Sequence, residues 1–476
     1  MSDSLKSILR DCNDALSGTP YSIDESESGL HRLKEIEKSL TSILSSLHSV
    51  QEMDELDPKI KEIFRTREVY ESNAIEGAGY ATLRETASIL SRLPDRFPSN
   101  DFVSWAIEQG LKNDKRAFEV VGLDVARSLS NIYASDPSRP IFEYDIRNLH
   151  KQIMGDHISA GNYKDQDTKI VRFDDSEHYP PKTYEINHVM QEFASWLSQI
   201  PTRNYRTGLP ILRAAAAHAW LAYIHPFVDG NGRVSRLVAN VILARAGLPP
   251  LILRNKNDRF RYITALGHSD NAGDLAPLIL MFCKALERIT EQLKDPKLAQ
   301  SLFEMDISAR MLTDDYKFWS TAMDSLSREI QIQLKLFNLE GSLLSAMEPS
   351  DFYLLQRRSK VSKTWHIQVL DRTIPTGLWF FGYVSDGLYA KLEKDQIYPA
   401  LFYATRNPNL NDARMFVQPL DDRRKAFRSF MLEPRENQVY AIDTYGRASK
   451  MTISEAAKHI ALTSYSFVSE PYSVRR

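Results

Sequence analysis

The chain has 476 residues, of which 43% are hydrophobic and 26% charged, so it can bury enough apolar surface for two or three domains. Its formal net charge of −2 argues against capture of nucleic acid or of an anionic membrane through bulk electrostatics. The two cysteines, Cys12 and Cys283, are too few for a disulfide framework or a cysteine-built zinc site. The N-terminus lacks the apolar stretch of a signal peptide, and no apolar run is long enough to span a membrane, which predicts a soluble cytoplasmic protein.

The first 70 residues predict helices, because charged and aliphatic side chains alternate at helical spacing, with a polar interruption at residues 18–28. The short segment SNAIEG follows at residues 72–77. Taken alone, this segment indicates no more than the end of a helix at Gly77, since glycine commonly follows the last turn of a helix.

Residues 141–200 predict a helix followed by a short hairpin. Apolar positions at 146–153 recur at helical spacing, and Gly161 then interrupts the pattern. Residues 169–173 are rich in β-forming side chains and are followed by turn residues. His157 and His178 fall in predicted turns with no third ligand at a suitable spacing, which disfavours a metal site there.

The stretch IHPFVDGNGRVSR at residues 224–236 carries most of the chemistry that the sequence reveals. An apolar run that predicts a helix precedes it and ends at Pro226, and a second predicted helix follows it. Gly230, Asn231 and Gly232 stand where the second helix begins, so their backbone N–H groups can bind an anion with the helix dipole behind them. This arrangement predicts a phosphate cradle.

Four side chains around this cradle suit phosphoryl or nucleotidyl transfer. Arg233 and Arg236 share one helix face, and each can fork onto phosphate oxygens. Asp229 is a hard oxygen ligand of the kind that holds a Mg²⁺ ion bridging phosphates. His225 is the nearby group whose ordinary pKa lies close to neutrality, so it is the candidate general base. Each residue alone has an ordinary structural interpretation, and their combination is what indicates this chemistry.

The same stretch matches the signature HxFx(D/E)GNGRxxR at every fixed position, so the chain resembles the Fic family. The matching residues are His225, Phe227, Asp229, Gly230, Asn231, Gly232, Arg233 and Arg236. The resemblance implies an all-helical core that transfers AMP from ATP to a protein hydroxyl. It implies His225 as the base and Asp229 as the ligand of Mg²⁺ or Mn²⁺. It further implies an anion hole at Asn231 and Gly232, and phosphate grips at Arg233 and Arg236.

An N-terminal segment gains meaning from this resemblance. Ser72, Glu76 and Gly77 match the pattern (S/T)xxxE(G/N) of an inhibitory helix found in a class of Fic proteins, placed here at about residues 68–77. A carboxylate set against Arg236 would occupy the cation that the γ-phosphate of ATP needs. An ordinary helix end at Gly77 is the alternative.

Two further regions resemble parts of Fic proteins. Residues 161–181 resemble the flap that holds a target segment by strand addition over the active site, although Lys164 stands where many relatives have Arg. Tyr262 and Asn271 match positions that face the adenine in similar sequences. Helix packing for Tyr262 and helix capping for Asn271 are the alternatives.

Beyond the motif, residues 258–266 and 270–282 predict two helices separated by a polar turn. A helical region follows, and Pro349 marks a boundary after which β-branched and aromatic residues predict strands and one terminal helix. The predicted strands are residues 352–355, 365–370, 377–384, 388–392, 415–419 and 439–442, and the predicted helix is 451–463. Basic clusters at 357–360 and 423–425 are interpreted as surface or target-binding residues rather than as a nucleic-acid site.

The sequence therefore predicts a mainly α protein, with an all-helical Fic core, a short β-hairpin flap and a C-terminal α+β domain. The expected domains are residues 1–100 with the inhibitory helix, 101–295 as catalytic core, 296–348 as helical connector, and 349–476 as a β-rich domain of unknown role. The expected function is an autoinhibited protein adenylyltransferase that modifies Ser, Thr or Tyr hydroxyls of a target protein and of itself. Removal of AMP and formation of a homodimer are left open. The alternative is a non-enzymatic, ATP-responsive regulator that uses the core as a nucleotide sensor.

Overall fold

The computed structural model describes most of the chain and divides it into two compact units. The described residues are 3–24, 26–47, 57–94, 102–111, 113–171, 177–199, 208–307, 314–341, 349–356, 364–370, 379–384, 398–406, 416–417 and 426–469. The N-terminal unit comprises Met1–Asn255 and Arg259–Ser301, and the C-terminal unit comprises Lys256–Asp258 and Leu302–Arg476.

The N-terminal unit is built from helices and one two-stranded hairpin. Its helices are α1 (Asp3–Leu16), α2 (Glu27–Leu47), α3 (Pro58–Ile75), α4 (Leu83–Leu90), α5 (Phe102–Glu108), α6 (Lys115–Ser135), α7 (Glu143–Met154), α8 (Ile186–Ser198), α9 (Leu209–Ile224), α10 (Asn231–Arg245), α11 (Asn255–Ala272) and α12 (Ala276–Lys294). The hairpin consists of β1 (Ile170–Val171) and β2 (Glu177–His178), which pair antiparallel with Ile170 opposite His178.

Two adjacent helices form the centre of this unit. α9 carries apolar residues on every face, among them a run of four alanines at residues 214–217 that are all fully buried. Such a helix is stable only when it is surrounded by other elements. α10 packs against α9, α6 and α7, while α3 packs against α6, α4 and α10. The loop between α9 and α10, where the sequence motif lies, is thus held between two buried helices.

The end of α11 differs from the sequence prediction. The predicted polar turn between residues 266 and 270 does not form, because α11 continues to Ala272 and ends at Gly273, whose φ is 68°. A segment near the N-terminus contacts this junction: Ser22 N donates to Gly273 O at 2.8 Å, and buried Arg32 pairs with Asp274. A glycine in the left-handed conformation is a more reliable helix end than a polar stretch, since polar side chains are tolerated on an exposed helix face.

The C-terminal unit contains an antiparallel sheet with helices packed on it. The strands are β3 (Glu340–Gly341), β4 (Thr364–Leu370), β5 (Trp379–Val384), β6 (Ala400–Arg406), β7 (Phe416–Val417), β8 (Phe427–Glu433), β9 (Gln438–Asp443) and β10 (Ala448–Thr452). Their order across the sheet is β10-β9-β8-β6-β5-β4-β3, and β7 pairs with β6. The helices are α13 (Pro296–Ile307), within which the division between the units falls, α14 (Asp314–Lys335), α15 (Pro349–Gln356) and α16 (Ile453–Ser469).

Several predictions for the C-terminal region hold and one is wrong. The predicted segments 365–370 and 439–442 lie within β4 and β9, while β5 and β7 lie within the predicted segments 377–384 and 415–419, whose other residues are outside the described part of the chain. Residues 352–355 form part of α15 instead of a strand, because Phe352 and Leu355 are three residues apart and both face a buried core, as helical spacing allows. The predicted strand 388–392 and the basic clusters at 357–360 and 423–425 lie outside the described residues.

The fold class is the one that the sequence predicts, mainly α with a short hairpin and a C-terminal α+β region. α14, which the sequence assigns to a connector, packs on α16, β3 and β8. Among the described residues, no helix combines the length and hydrophobicity required to cross a membrane.

Candidate active site

The loop between α9 and α10 is fixed by contacts within the protein. His225 follows the last residue of α9 in the left-handed conformation, with φ of 48°, and its N–H donates to Leu221 O at 3.1 Å. The amide of Asn231 accepts a hydrogen bond from Phe227 N at 2.9 Å and donates one to Phe227 O at 2.8 Å. Gly230 has φ of 79°, which a glycine adopts without strain. The first turn of α10 therefore starts at a defined point and in a defined direction.

The groups that could bind an anion at this loop are backbone N–H groups and the side chain of Arg233. The side-chain amide of Asn231 accepts one hydrogen bond from Phe227 and donates one to it, so it secures the loop. The first backbone N–H groups of α10, which have no acceptor within the helix, are available for an anion, and a role of Asn231 in the anion hole stays a prediction. Arg233 adds a guanidinium that is 2% exposed, and its buried Nε has no hydrogen-bond partner among the described residues. A buried donor without a partner is costly, so this nitrogen marks a place that suits an anionic ligand.

Arg236 is bound on three sides by other residues of the protein. Its Nε donates to Ser72 Oγ at 2.9 Å and its Nη2 to Ser72 O at 2.8 Å. Nη2 also contacts Glu76 Oε1 at 2.8 Å, and Nη1 donates to the Tyr262 hydroxyl at 3.3 Å. A guanidinium has five N–H donors. Four hydrogen bonds to the protein thus leave Arg236 little capacity for a phosphate.

The contact with Glu76 depends on the absence of a side chain at Gly232. A Cβ atom added at Gly232 would overlap Glu76 Oε1 and would crowd Arg236 Nη1. Glu76 itself directly follows the last residue of α3. Its carboxylate therefore lies against the first turn of α10, at the position where a ligand of that turn would also have to sit.

The two helices α3 and α10 meet through polar contacts at four-residue steps. One turn before the Ser72 contact, Asn240 Nδ2 donates to Glu68 Oε1 at 2.7 Å. The same asparagine accepts a hydrogen bond from Leu251 N at 2.8 Å, which fixes its amide orientation. Residues 68 and 72 of α3, and Glu76 just after it, thus face residues 240, 236 and 232 of α10, as expected for antiparallel helices.

The ring of His225 is held in its neutral form. Burial, followed by the nearby charges of Lys164 and His178, lowers the pKa of His225 to about 4, while Glu76 acts in the opposite direction. The imidazole is therefore neutral near pH 7, as a general base must be before it acts. Lys164 is 4% exposed, and its backbone N–H donates to Pro226 O at 2.8 Å.

The hairpin β1–β2 and the segment before it lie beside this histidine. His178 Nε2 contacts Tyr223 O at 3.0 Å, which ties β2 to the last turn of α9. Val171 and Tyr179 are 57% and 61% exposed, so the hairpin carries apolar and aromatic groups on its surface. The flap predicted at residues 161–181 thus has described residues at both of its strands, and its role in holding a target stays a prediction.

Asp229 has the chemistry of a single magnesium ligand. Its side chain is 63% exposed, and Oδ1 accepts from Gly230 N and from Arg233 Nη2, the latter at 3.2 Å. Within the described part of the chain, no cluster of three or more metal-ligating side chains exists. Mg²⁺ commonly takes one or two carboxylates and completes its shell with water and substrate phosphates. The residues present fit such an ion, with Asp229 as the protein ligand.

The two residues assigned to the adenine lie in different surroundings. Tyr262 is 2% exposed, and its hydroxyl contacts Arg236 and His218 Nε2, the latter at 2.8 Å. Asn271 is exposed near the end of α11. The structure therefore brings Tyr262 to the Arg236 side of the site, and binding of adenine by either residue stays a prediction.

One residue at this site was not singled out from the sequence. His150 of α7 is fully buried, and its ring contacts Asp229 O and Gly161 N, each at 3.0 Å. Burial lowers its pKa to about 4. The pattern around it, IRNLHKQI, indicates an amphipathic helix, and a histidine on the apolar face of that helix was the available signal.

Comparisons with known proteins agree with this site. Residues 140–243 match the Fic/DOC family, and this segment contains His225, the loop and most of α10, whereas Ser72 and Glu76 lie outside it. A relative named protein adenylyltransferase Fic, from Nematostella vectensis, is 34% identical over 234 residues, which cover 48% of this chain and 48% of that protein. The protein of the same name from Drosophila melanogaster is 31% identical over 253 residues, covering 53% and 46%. The chain thus spans about half the length of the curated relatives it matches.

Solved structures of similar chains include a fragment of Fic-1 from C. elegans. It is 26% identical, covers 57% of this chain and 77% of its own, and superposes with a TM-score of 0.41.

Proposed function

Starting from the match of residues 140–243 to the Fic/DOC family, we propose that this chain is an autoinhibited protein adenylyltransferase. It transfers AMP from ATP to a hydroxyl of a Ser, Thr or Tyr residue on a target protein, and also to itself. One observation carries the proposal: a neutral, half-buried His225 stands beside a helix N-terminus that can bind phosphate, and the Glu76 carboxylate pairs with Arg236 of that helix.

The reaction follows from the roles available at the site. The oxygen of the target hydroxyl attacks the α-phosphorus of ATP and forms the new P–O bond, while His225 takes the hydroxyl proton. The bond between the α-phosphorus and the oxygen bridging to the β-phosphate breaks, and pyrophosphate leaves. Because His225 is neutral near pH 7, it can accept this proton without first losing one.

The nucleotide is held by the start of α10 and by Arg233. Backbone N–H groups of the first turn stabilise negative charge on the phosphates, and Arg233 supplies a buried cation with an unused Nε donor. Asp229 would hold Mg²⁺ or Mn²⁺, which supplies charge neutralisation on the phosphates when bound. No step in the mechanism requires a second protein ligand for that ion.

Inhibition is supported by the contacts of Arg236. The guanidinium is 4% exposed and carries an ion pair with Glu76, whose side chain is 32% exposed. A phosphate that needs Arg236 must displace this carboxylate and would be repelled by it until it moves. Glu76 therefore acts as an internal brake, and Ser72 orients Arg236 from the same helix.

The acceptor is proposed to bind at the hairpin. β1 has two residues and pairs with β2, and exposed Val171 and Tyr179 offer contacts to an extended segment.

Removal of AMP by water oriented at Glu76, a homodimer, and a cytoplasmic location are further parts of the proposal. The free and buried state of Cys12 and Cys283 supports a reducing compartment.

The test is transfer of label from ATP that carries ³²P at the α-position. With Mg²⁺ present, the chain with Glu76→Gly should label itself or a protein in a cell extract. Addition of His225→Ala should abolish labelling and change the affinity for ATP by less than about threefold, since the base makes little contact with the ground-state nucleotide. Loss of ATP binding in His225→Ala would make the histidine structural. ATP binding without any labelling, even with Glu76→Gly, would favour the nucleotide-sensor alternative.

A further inference from the structure

One buried histidine connects the loop between α9 and α10 with the segment that leads to the hairpin. His150 lies on α7 and is fully buried. Its Nε2 is 3.0 Å from Asp229 O, and its Nδ1 accepts a hydrogen bond from Gly161 N at 3.0 Å. The ring also stacks on Phe227, with centroids 3.8 Å apart and planes inclined by 9°. The edge and the face of the His150 ring thus both contact the loop between α9 and α10 (residues 225–230), which is called the phosphate loop below.

The two hydrogen bonds define the state of the ring. A backbone N–H can only donate and a carbonyl can only accept. Nδ1 must therefore be without hydrogen, and the hydrogen must be on Nε2. Both nitrogens of His150 are then used by the backbone, which leaves neither for a reacting atom.

The segments that His150 holds have separate tasks in the proposed reaction. Asp229 is the candidate metal ligand, and Gly230 immediately precedes α10; a Cβ added at Gly230 would lie 3.3 Å from His150 Cδ2. Gly161 starts the segment that leads to the hairpin, and its carbonyl accepts from Arg147 Nε at 2.7 Å. Three residues later, Lys164 N donates to the carbonyl of Pro226. The start of the flap at Gly161 and the phosphate loop at Asp229 are thus both hydrogen-bonded to His150 of α7.

We propose that His150 is a positioning residue that couples the acceptor-binding flap to the phosphate loop. This inference rests on the proposed transferase function. Through Nε2–H it fixes the Asp229 carbonyl and hence the start of α10. Through Nδ1 it fixes Gly161, so the acceptor segment and the α-phosphate are kept in register. Removal of either contact should lower turnover more than it lowers binding of ATP, because alignment of two reactants is more sensitive to small displacements than ground-state binding is.

Three substitutions separate the contacts. His150→Asn keeps an acceptor near the position of Nδ1 and loses the donor to Asp229. His150→Gln keeps a donor near the position of Nε2 and loses the acceptor for Gly161. His150→Phe keeps only the stacking on Phe227. His188, an exposed residue of α8 outside the site, provides the matched control as His188→Phe.

The experiment uses the full chain with Glu76→Gly and measures both self-labelling and hydrogen exchange. We expect faster amide exchange at residues 161–164 in His150→Gln, at 227–230 in His150→Asn, and at both in His150→Phe. In His150→Phe the kcat for self-labelling with ATP should fall at least about tenfold, with the KM for ATP changed less than about threefold. The His188→Phe control should match its parent in both measurements.

Two results would overturn the proposal. The first is a folded His150→Phe variant that labels itself within about threefold of its parent or shows unchanged exchange at both segments. The second is failure of all three variants to fold, which would assign His150 to the core alone. If the Glu76→Gly parent itself does not label, the transferase proposal fails, and the exchange measurements still decide whether His150 connects the two segments.

Discussion

The strongest test of inhibition is the replacement of Glu76 by glycine. The residue directly follows the last turn of α3, a position where glycine is well tolerated, so the change removes the carboxylate without breaking the helix. The side chain that it frees, Arg236, is 4% exposed and is separated from Glu76 Oε1 by 2.8 Å. The substitution therefore acts on one defined contact of a buried cation.

The size of the effect follows from this geometry. A charge-assisted hydrogen bond contributes ~1.5 to 3 kcal/mol. Because about a third of the Glu76 side chain is exposed to screening solvent, the lower end of that range applies, and ~1.5 kcal/mol corresponds to about tenfold. Glu76→Gly should thus raise labelling with α-³²P ATP about tenfold or more, and it should tighten the affinity for ATP.

Matched variants distinguish the brake from other effects of the change. Glu76→Gln keeps a hydrogen-bond acceptor and loses the charge, so its activity should lie between those of the parent and Glu76→Gly. Arg236→Ala should not be activated, and the double variant of Glu76→Gly with Arg236→Ala should be inactive because the phosphate grip is gone. If Glu76→Gly is no more active than the parent in this assay, the carboxylate is an ordinary helix end and inhibition by α3 is refuted.

Two further predictions concern the metal and the stability. Asp229→Ala should remove both activity and the dependence of activity on Mg²⁺, and an unchanged Mg²⁺ titration would show that Asp229 is not the ligand. Burial, with Arg236 as the second cause, lowers the pKa of His218 to about 3, below the ordinary value of 6.5 that applies on unfolding. The unfolded state then binds more protons, so His218 alone should lower the free energy of unfolding by about 2 kcal/mol between about pH 7 and pH 5. Urea unfolding at both pH values should show a smaller fall for His218→Gln, and an equal fall would contradict this assignment.

The motif could be interpreted from sequence because its residues are close in the chain. The spacing of Arg233 and Arg236, the glycines at the start of a helix and the proline after His225 all act within one or two helical turns. Local rules are sufficient for such a segment. The side-chain amide of Asn231 shows their limit, since its engagement with Phe227 depends on a loop conformation that spacing does not specify.

The sequence predicts only some of the contacts between segments that are distant in the chain. The pairing of Glu76 with Arg236, 160 positions apart, was predicted from a resemblance, and the geometry places them 2.8 Å apart. The contacts of His150 and of Asn240 with Glu68 had no comparable signal, because a polar residue in an amphipathic pattern does not reveal its partner. Strands β6 and β8 were missed for a related reason, since strand pairing is set by neighbours that are far away in sequence.

The polar contacts between α3 and α10, spaced four residues apart, bear on how the proposed inhibition by Glu76 would be released. Glu76 is at the outer end of the series; Gly77 follows it directly and Gly79 comes two residues after Gly77, both with positive φ. If the last turn of α3 opened, which would break the contacts of Asn73 with Glu119 and of Ile75 with Arg259, Glu68 could stay bonded to Asn240 one turn further inward. Release of Arg236 then costs only the contacts of a single turn and leaves the rest of the helix docked. Activation would then be the local unfolding of the last turn of α3, and it would reverse when this turn refolds on the remainder of the helix, which stays in contact with α10.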